Sequence, residues 1–281
     1  MINFNGILQD NHPALSIENR GYKFGDALFE TLKVVHGTIL FWEDHYFRLM
    51  ASMRILRMEI PMEFTMEFLE TEILKTIESN ALTMATARVR FNVHRKDGGK
   101  YLPAEHNIDY AIVVERLDAD FYTFNENQYS IELFKDHYVS PGLLSTLKTN
   151  NKIINILASI FADENGYENC LLLNTQKQVV EAVNGNLFIV KDNVIKTPPL
   201  QDGCLKGIMR KQVMEVIGSL ENYELDETSI SPFELQKADE LFLTNVIMGI
   251  QPISSFRKKT YIANASQVIL NTLNAKIRLG H

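Results

Sequence analysis

"STLKTNNKIINILAS", residues 145–159, changes character half-way along. Ile153, Ile154, Ile156, Leu157 and Ile160 recur at the spacing of one helical face, which predicts a helix. Just ahead of them stands Lys148, followed by Thr149, Asn150 and Asn151. A cation at the mouth of a helix opposes the macrodipole, at a cost of up to about 1 kcal/mol. Two readings are open at this point. Lys148 is either a solvated lysine or an amine that the protein uses.

The whole chain narrows the choice. Its 281 residues are 46% hydrophobic and 22% charged, enough for a sizeable core in two domains or one large one. Net charge is -7, and no clustered basic face is present, so no nucleic-acid partner is expected. The short run "FRKKT" at 256–260 reads as a turn. The start "MINFNGILQD" lacks the charge and the apolar stretch of a secretory signal. No apolar run is long enough to predict a membrane span. Cys170 and Cys204 lie far apart, outside any CxxC, and are expected to be reduced and structural, as in a cytoplasmic protein. The seven histidines show no HExxH and no pairing on a helix face, so no metal site is expected. Phosphate-loop, dinucleotide and nucleophile-elbow patterns are all missing.

Around the opening stretch the pattern is mixed. "INFNGIL" reads as two strands about an Asn5-Gly6 turn, and 27–35 with 38–42 as a hairpin about His36-Gly37. Helices are predicted at 43–56 and 64–79, and strands at 86–94 and 108–117. This gives a small α+β domain over 1–117, a linker over 118–128, and a larger α/β domain over 129–281. The second domain opens with a strand at 129–136. After the Lys148 helix it carries strands at 169–175, 179–183, 186–192 and 193–198, a helix at 207–218, a strand at 238–246 and a last helix near 265–278.

Four segments fit one chemical task. They are "RGYKFGDALFETLKV" (20–34), "HYFRLMASMRIL" (45–56), the Lys148 segment with "VVEAVNGNLF" (179–188), and "LKGIMR" (205–210) with "ADELFLTNVIMGIQPI" (238–253). In that order they resemble the class IV aminotransferases, the fold-type IV enzymes of pyridoxal 5'-phosphate (PLP). That family includes branched-chain and D-amino-acid aminotransferases and 4-amino-4-deoxychorismate lyases. The resemblance implies a two-domain α/β fold and a homodimer in which a loop of the first domain completes the neighbouring site.

It also implies roles. PLP needs a lysine for its aldehyde, and the same amine, once released, moves protons. The family's lysine falls on Lys148. A carboxylate beside the pyridine nitrogen keeps the proton that makes the ring an electron sink, and Glu181 falls there. Asn186 falls at a supporting turn. Arg48 matches the phosphate arginine, and Gly207 opens a helix whose Ile208 and Met209 N–H groups can face an anion. Arg210 matches a family position expected to be structural.

Departures from the pattern bear on the reaction. Many relatives have phosphate-binding threonines where this chain has Met209 and Val246, so the phosphate is expected to lean on Arg48, backbone N–H groups and Asn245. "GIMR", "TNVIMGIQP" and "LKTNNKI" resemble the lyases, whereas 20–34 is equally similar to the D-amino-acid enzymes, with Phe29 in place of their tyrosine. In the loop 94–103, Lys100 is the expected substrate-carboxylate binder, with Arg95 and Tyr101 nearby. The substrate is therefore a small amino-carboxylic acid. The lyase reaction is favoured narrowly over transamination of D- or branched-chain amino acids, and a non-catalytic relative is the remote third reading.

Overall fold

A computed structural model describes residues 1–10, 15–125 and 127–279. The chain forms two compact units. The first comprises Met1–Asp120 with Lys148–Asn151, and the second comprises Phe121–Leu147 with the chain from Lys152 onward. The sequence reading kept Lys148–Asn151 with the second domain, whereas these residues pack with the first unit.

The first unit is built on six strands: β1 (Ile2–Phe4), β2 (Ile7–Gln9), β3 (Ala27–Val35), β4 (Thr38–Ile39), β5 (Thr86–Arg95) and β6 (Ile108–Leu117). Their order is β2-β1-β6-β5-β3-β4, antiparallel throughout. Alternation along β3 puts Leu28, Glu30, Leu32 and Val34 on one face and Phe29, Thr31 and Lys33 on the other. The Leu28 face is buried with Val89, Phe91 and Val93 of β5. Leu49 and Met53 of α2 (Trp42–Ile55), with Leu69, Ile73 and Ile77 of α3 (Met66–Ser79), complete that core. The hairpin signal His36-Gly37 forms its turn with φ of 47° and 82°, the left-handed pair that a two-residue hairpin requires. A five-residue helix, α1 (Arg20–Phe24), escaped the periodic reading and ends on Gly25 at φ 65°.

Lys148 is not at a helix mouth. The helix after it starts at Ile153 with Lys152 as its N-cap, so the dipole argument does not reach Lys148. Lys148–Asn150 instead lie along the start of β3. The Phe29 N–H donates to the Lys148 carbonyl at 2.9 Å, and the Asn150 N–H donates to the Ala27 carbonyl at 3.0 Å.

The second unit holds two five-stranded sheets. Its strands are β7 (Ser130–Val139), β8 (Asn169–Asn174), β9 (Val179–Ala182), β10 (Asn186–Lys191), β11 (Val194–Thr197), β12 (Glu224–Glu227), β13 (Glu240–Asn245), β14 (Gly249–Ile253), β15 (Ser255–Phe256) and β16 (Lys259–Thr260). The orders are β12-β11-β10-β13-β14 and β16-β15-β7-β8-β9. Both sheets contribute to one apolar core, with Leu133, Leu171 and Val179 from the second and Leu187, Leu241 and Ile253 from the first. The turn expected at "FRKKT" separates β15 from β16.

Helices of this unit are Ile153–Glu164, Ile208–Gly218, Pro232–Lys237 and Ala265–Leu279. The first of them corrects the single apolar face expected at 153–160. Ile154, Leu157 and Phe161 pack on Phe134, Cys170 and Leu172, whereas Ile153, Ile156 and Ile160 are exposed. Among the described residues, no helix is long and apolar enough to cross a membrane.

Candidate active site

In the first unit the expected residues Lys148 and Phe29 meet. The two hydrogen bonds to β3 fix the Lys148 backbone beside Phe29, and the amine lies 4.5 Å from the centre of the Phe29 ring. A third residue joins them. The Arg90 guanidinium carbon stands 3.9 Å from the same ring centre, an energetically favourable stacking distance. Arg90 Nε donates to the Asn92 amide oxygen at 2.9 Å, and among the described residues no carboxylate pairs with it. Burial lowers its pKa, and the Arg88 charge adds to that against a smaller opposing pull from Glu115. Arginine still stays charged. Such a group is suited to an incoming carboxylate. Sequence reading missed Arg90, although "RVRF" sets Arg88 and Arg90 on one face of a strand.

Arg48 sits on the buried side of the sheet. Its Nε donates to Glu30 at 2.8 Å and its Nη2 grips the other carboxylate oxygen. His45 Nδ1 lies 2.8 Å from the same carboxylate. Burial pushes the Glu30 pKa up, but Arg48 and His45 more than offset this and hold it at about 2. His45 is depressed, chiefly by burial, so Nδ1 carries the hydrogen shared with Glu30 and Nε2 is a buried acceptor with no partner among the described residues. Neither Glu30 nor His45 was singled out from sequence, although the His-x-x-Arg spacing places His45 and Arg48 on one helix face.

The loop after β5 divides the expected substrate binders. Arg95 requires a correction. It is 5% exposed, and its guanidinium donates to Asp26 at 2.9 Å, to the Arg57 carbonyl at 2.9 Å and to the Leu56 carbonyl at 2.7 Å. A buried, saturated guanidinium braces the fold and has no donor left for a substrate. Lys100 and Tyr101 remain exposed. Arg20 holds their loop, donating to the Gly98 carbonyl at 2.9 Å and to the Lys100 carbonyl at 2.6 Å.

The second unit gathers the rest. The Leu205 N–H donates to the Glu181 carboxylate at 2.8 Å, which orients that acid on β9. Asn186, at the start of β10, donates to the Leu205 carbonyl at 2.9 Å. Its side-chain oxygen lies 2.0 Å from where a Cβ on Gly207 would stand, so only glycine fits there. Gly207 caps the helix Ile208–Gly218 without a side-chain hydrogen bond. The N–H groups of Ile208 and Met209, both buried, have no partner among the described residues.

Asn245 also requires a correction. Expected at the phosphate, its side chain closes its own turn, accepting from the Ile247 and Met248 N–H groups at 3.0 and 2.9 Å and donating to the Asn184 carbonyl at 3.0 Å. The Val246 carbonyl accepts from the Tyr122 hydroxyl at 2.7 Å. Arg210 is buried and donates to the Pro198 carbonyl at 2.9 Å. Among the described residues, no three His, Cys, Asp or Glu side chains form a group that could hold a metal ion.

The family model for amino-transferase class IV matches residues 27–256, across both units. The chain belongs to the class IV aminotransferase family. It is 27% identical over 254 residues to an aminodeoxychorismate lyase of Vibrio harveyi, covering 89% of each chain. It is 29% identical over 253 residues to a putative branched-chain-amino-acid aminotransferase of Methanocaldococcus jannaschii, covering 90% of this chain and 86% of that one. It superposes on the 4-amino-4-deoxychorismate lyase of Pseudomonas aeruginosa with a TM-score of 0.80, at 26% identity over 99% of both chains.

Class IV aminotransferases are PLP enzymes, and the fold-type IV expectation holds for this chain. Each unit holds groups that suit a part of the cofactor. Buried, unpartnered N–H groups at a helix start suit a phosphate. A carboxylate fixed by a backbone N–H suits a pyridinium, and a lysine held by its backbone suits an aldehyde.

Proposed function

We propose that this enzyme is a 4-amino-4-deoxychorismate lyase, releasing 4-aminobenzoate and pyruvate. One observation carries the reading. At the two positions where many relatives bring phosphate-binding hydroxyls, this chain has Met209 at the buried helix start and Val246 in a turn that Asn245 closes on itself. That composition resembles the lyases, and the similarity to the Vibrio harveyi enzyme supports it.

The roles follow from the residues. PLP, when bound, supplies an electron sink for charge left on the substrate carbon. Lys148 holds the cofactor aldehyde between turnovers and carries the proton removed from that carbon. Glu181 keeps a proton on the ring nitrogen. The Ile208 and Met209 N–H groups hold the phosphate, with Arg48 on Glu30 as its charged partner. Arg90 receives a substrate carboxylate, with Lys100 on the neighbouring loop. The protein is proposed to act as a homodimer. Tyr101 and Leu102, 90% and 81% exposed on the loop that Arg20 anchors, support this.

In the favoured reaction the proton leaves the amine-bearing carbon, and the adjacent enolpyruvyl C–O bond breaks as the ring becomes aromatic. No keto acid is needed. The test is to supply aminodeoxychorismate alone, and separately L- and D-amino acids, without any keto acid. Repeated formation of 4-aminobenzoate and pyruvate is expected. Stoichiometric conversion of the cofactor to its amine form by amino acids, with no 4-aminobenzoate, would instead identify an aminotransferase for D- or branched-chain substrates.

A further inference from the structure

The backbone of Lys148 is tied down in a way that its own neighbours do not explain. Three features converge on Gly25. First, the strand β3 begins beside it, and the bonds from Phe29 to Lys148 and from Asn150 to Ala27 lie on the next residues. Second, the Asn151 amide donates to the Gly25 carbonyl at 3.3 Å. Third, a Cβ on Gly25 would stand 2.4 Å from the Asn151 side-chain oxygen and 3.0 Å from its amide carbon. Gly25 also needs its left-handed φ of 65° to end the short helix before β3.

Two charged anchors keep this corner rigid. Asp26, between Gly25 and Ala27, takes Nε–H hydrogen bonds from both Arg20 and Arg95, each at 2.9 Å. Both arginines are buried. Thus the residues that receive Lys148–Asn151 cannot drift, and the segment is registered against a fixed edge. A displacement of the amine by one ångström would be costly to proton transfer.

We propose that Gly25 and Asn151 are positioning residues for the Lys148 amine: the missing side chain at Gly25 leaves room for the Asn151 amide, which locks Lys148–Asn151 against the start of β3. This rests on Lys148 being the reacting lysine. A side chain at Gly25 must turn the exposed Asn151 amide aside, breaking its bond to the Gly25 carbonyl and leaving the two backbone bonds beside it without that lock.

The test compares two glycines. Gly37 has a left-handed φ of 82° with nothing within 4 Å of an added Cβ, so Gly37→Ala carries the backbone strain without the collision. In the PLP-loaded enzyme, Gly25→Ala is expected to lower kcat about tenfold with little change in KM. It should also alter the circular dichroism of the bound cofactor and speed amide exchange in peptides spanning 27–30 and 148–152. Gly37→Ala is expected to leave all three unchanged.

Asn151→Ala should lower kcat by roughly fivefold, and in its background Gly25→Ala should cost less than it does alone, because the colliding amide is gone. Should Gly25→Ala fail to fold, the Asn151→Ala exchange rates and kcat decide the question. Equal effects of the two glycine variants would overturn the inference. So would unchanged exchange at 148–152 in Asn151→Ala, while borohydride still fixes the cofactor to Lys148. Borohydride trapping on another lysine of the unaltered protein would overturn the functional reading as well, and peptide mapping tells the two failures apart.

Discussion

The first unit brings its chemistry on side chains, whereas the second brings it largely on backbone. Lys148, Phe29 and Arg90 meet over one aromatic ring. In the second unit the proposed anion donors are main-chain N–H groups at the start of the helix Ile208–Gly218, and a backbone N–H also fixes Glu181. One helix from each unit makes the point. The Thr65 hydroxyl caps α3 by accepting from the Phe68 N–H, so that helix start is satisfied from within. Gly207 provides no such cap. A helix start buried and left without a side-chain cap is a set of donors kept for something else. Backbone donors survive substitution, so in the proposed phosphate site Met209 and Val246 can stand where many relatives have hydroxyls. Side-chain donors have no such reserve.

Deletion in the first unit should therefore hurt most. Lys148→Ala is expected to lower turnover by about a thousandfold or more and to remove the visible band of the lysine-bound cofactor. A variant that keeps this band would break the comparison at once.

Next in size is the buried cluster behind the ring. Glu30 has a pKa of about 2 in the fold against 4.5 ordinarily. Its contribution to stability is complete above pH 4.5 and is lost as pH falls from there to about 2. His45, depressed in the fold, acts in the same direction below its ordinary 6.5, because the unfolded chain takes up the proton first. Thermal melting should therefore drop steeply in acid. Glu30→Gln, which leaves Arg48 buried without its partner, should cost roughly 3–5 kcal/mol at neutral pH by chemical denaturation. A loss under about 1 kcal/mol would show that Arg48 is solvated after all.

Glu181→Gln tests the one side chain on which the second unit depends. It is expected to slow single-turnover proton removal by about a hundredfold while the melting temperature holds. Arg90→Met should raise KM by tens-fold with kcat little changed, as for the loss of one charge-assisted hydrogen bond to a substrate group. A fall in kcat alone would assign Arg90 to holding Phe29 and Lys148 instead. The smallest effect is a gain. Met209→Thr should tighten PLP binding by about 0.5–1.5 kcal/mol, measured by dialysis against competing apoenzyme, if a hydroxyl adds to the backbone donors.

Periodicity and turn chemistry made the strands and long helices legible. The His36-Gly37 hairpin, β5, β6 and the helix opened by Gly207 lie close to where the pattern puts them. What escaped were pieces too short to show a period, such as Arg20–Phe24 and Pro232–Lys237, and the path of Lys148–Asn150, which is set by hydrogen bonds to residues some 120 positions earlier. Burial misled the reading of the helix after Lys148, because both of its sides are apolar and only one is covered.

At the site, motif order pointed to Lys148 and Glu181. It could not separate Arg95 from Arg90. One is an arginine spent on Asp26 and two carbonyls, the other has no carboxylate partner among the described residues, and that difference lies in long-range neighbours. Asn245 was misread for a similar reason. An asparagine followed by a turn satisfies the turn before it satisfies a ligand.

Tyr122 gives the turn at 245–248 an optical signature. Its hydroxyl is spent on the Val246 carbonyl, and its ring fills the space that a side chain on Gly249 would take. Burial drives the phenol well above the range in which tyrosines ordinarily ionise. In alkali this ring therefore stays neutral until the turn releases it, and the ultraviolet tyrosinate band then rises at the rate of that release. Tyr110, Tyr129 and Tyr261 are raised by burial too, so the part of the slow signal that a Tyr122→Phe variant loses in a stopped-flow jump to high pH would time the opening of the turn.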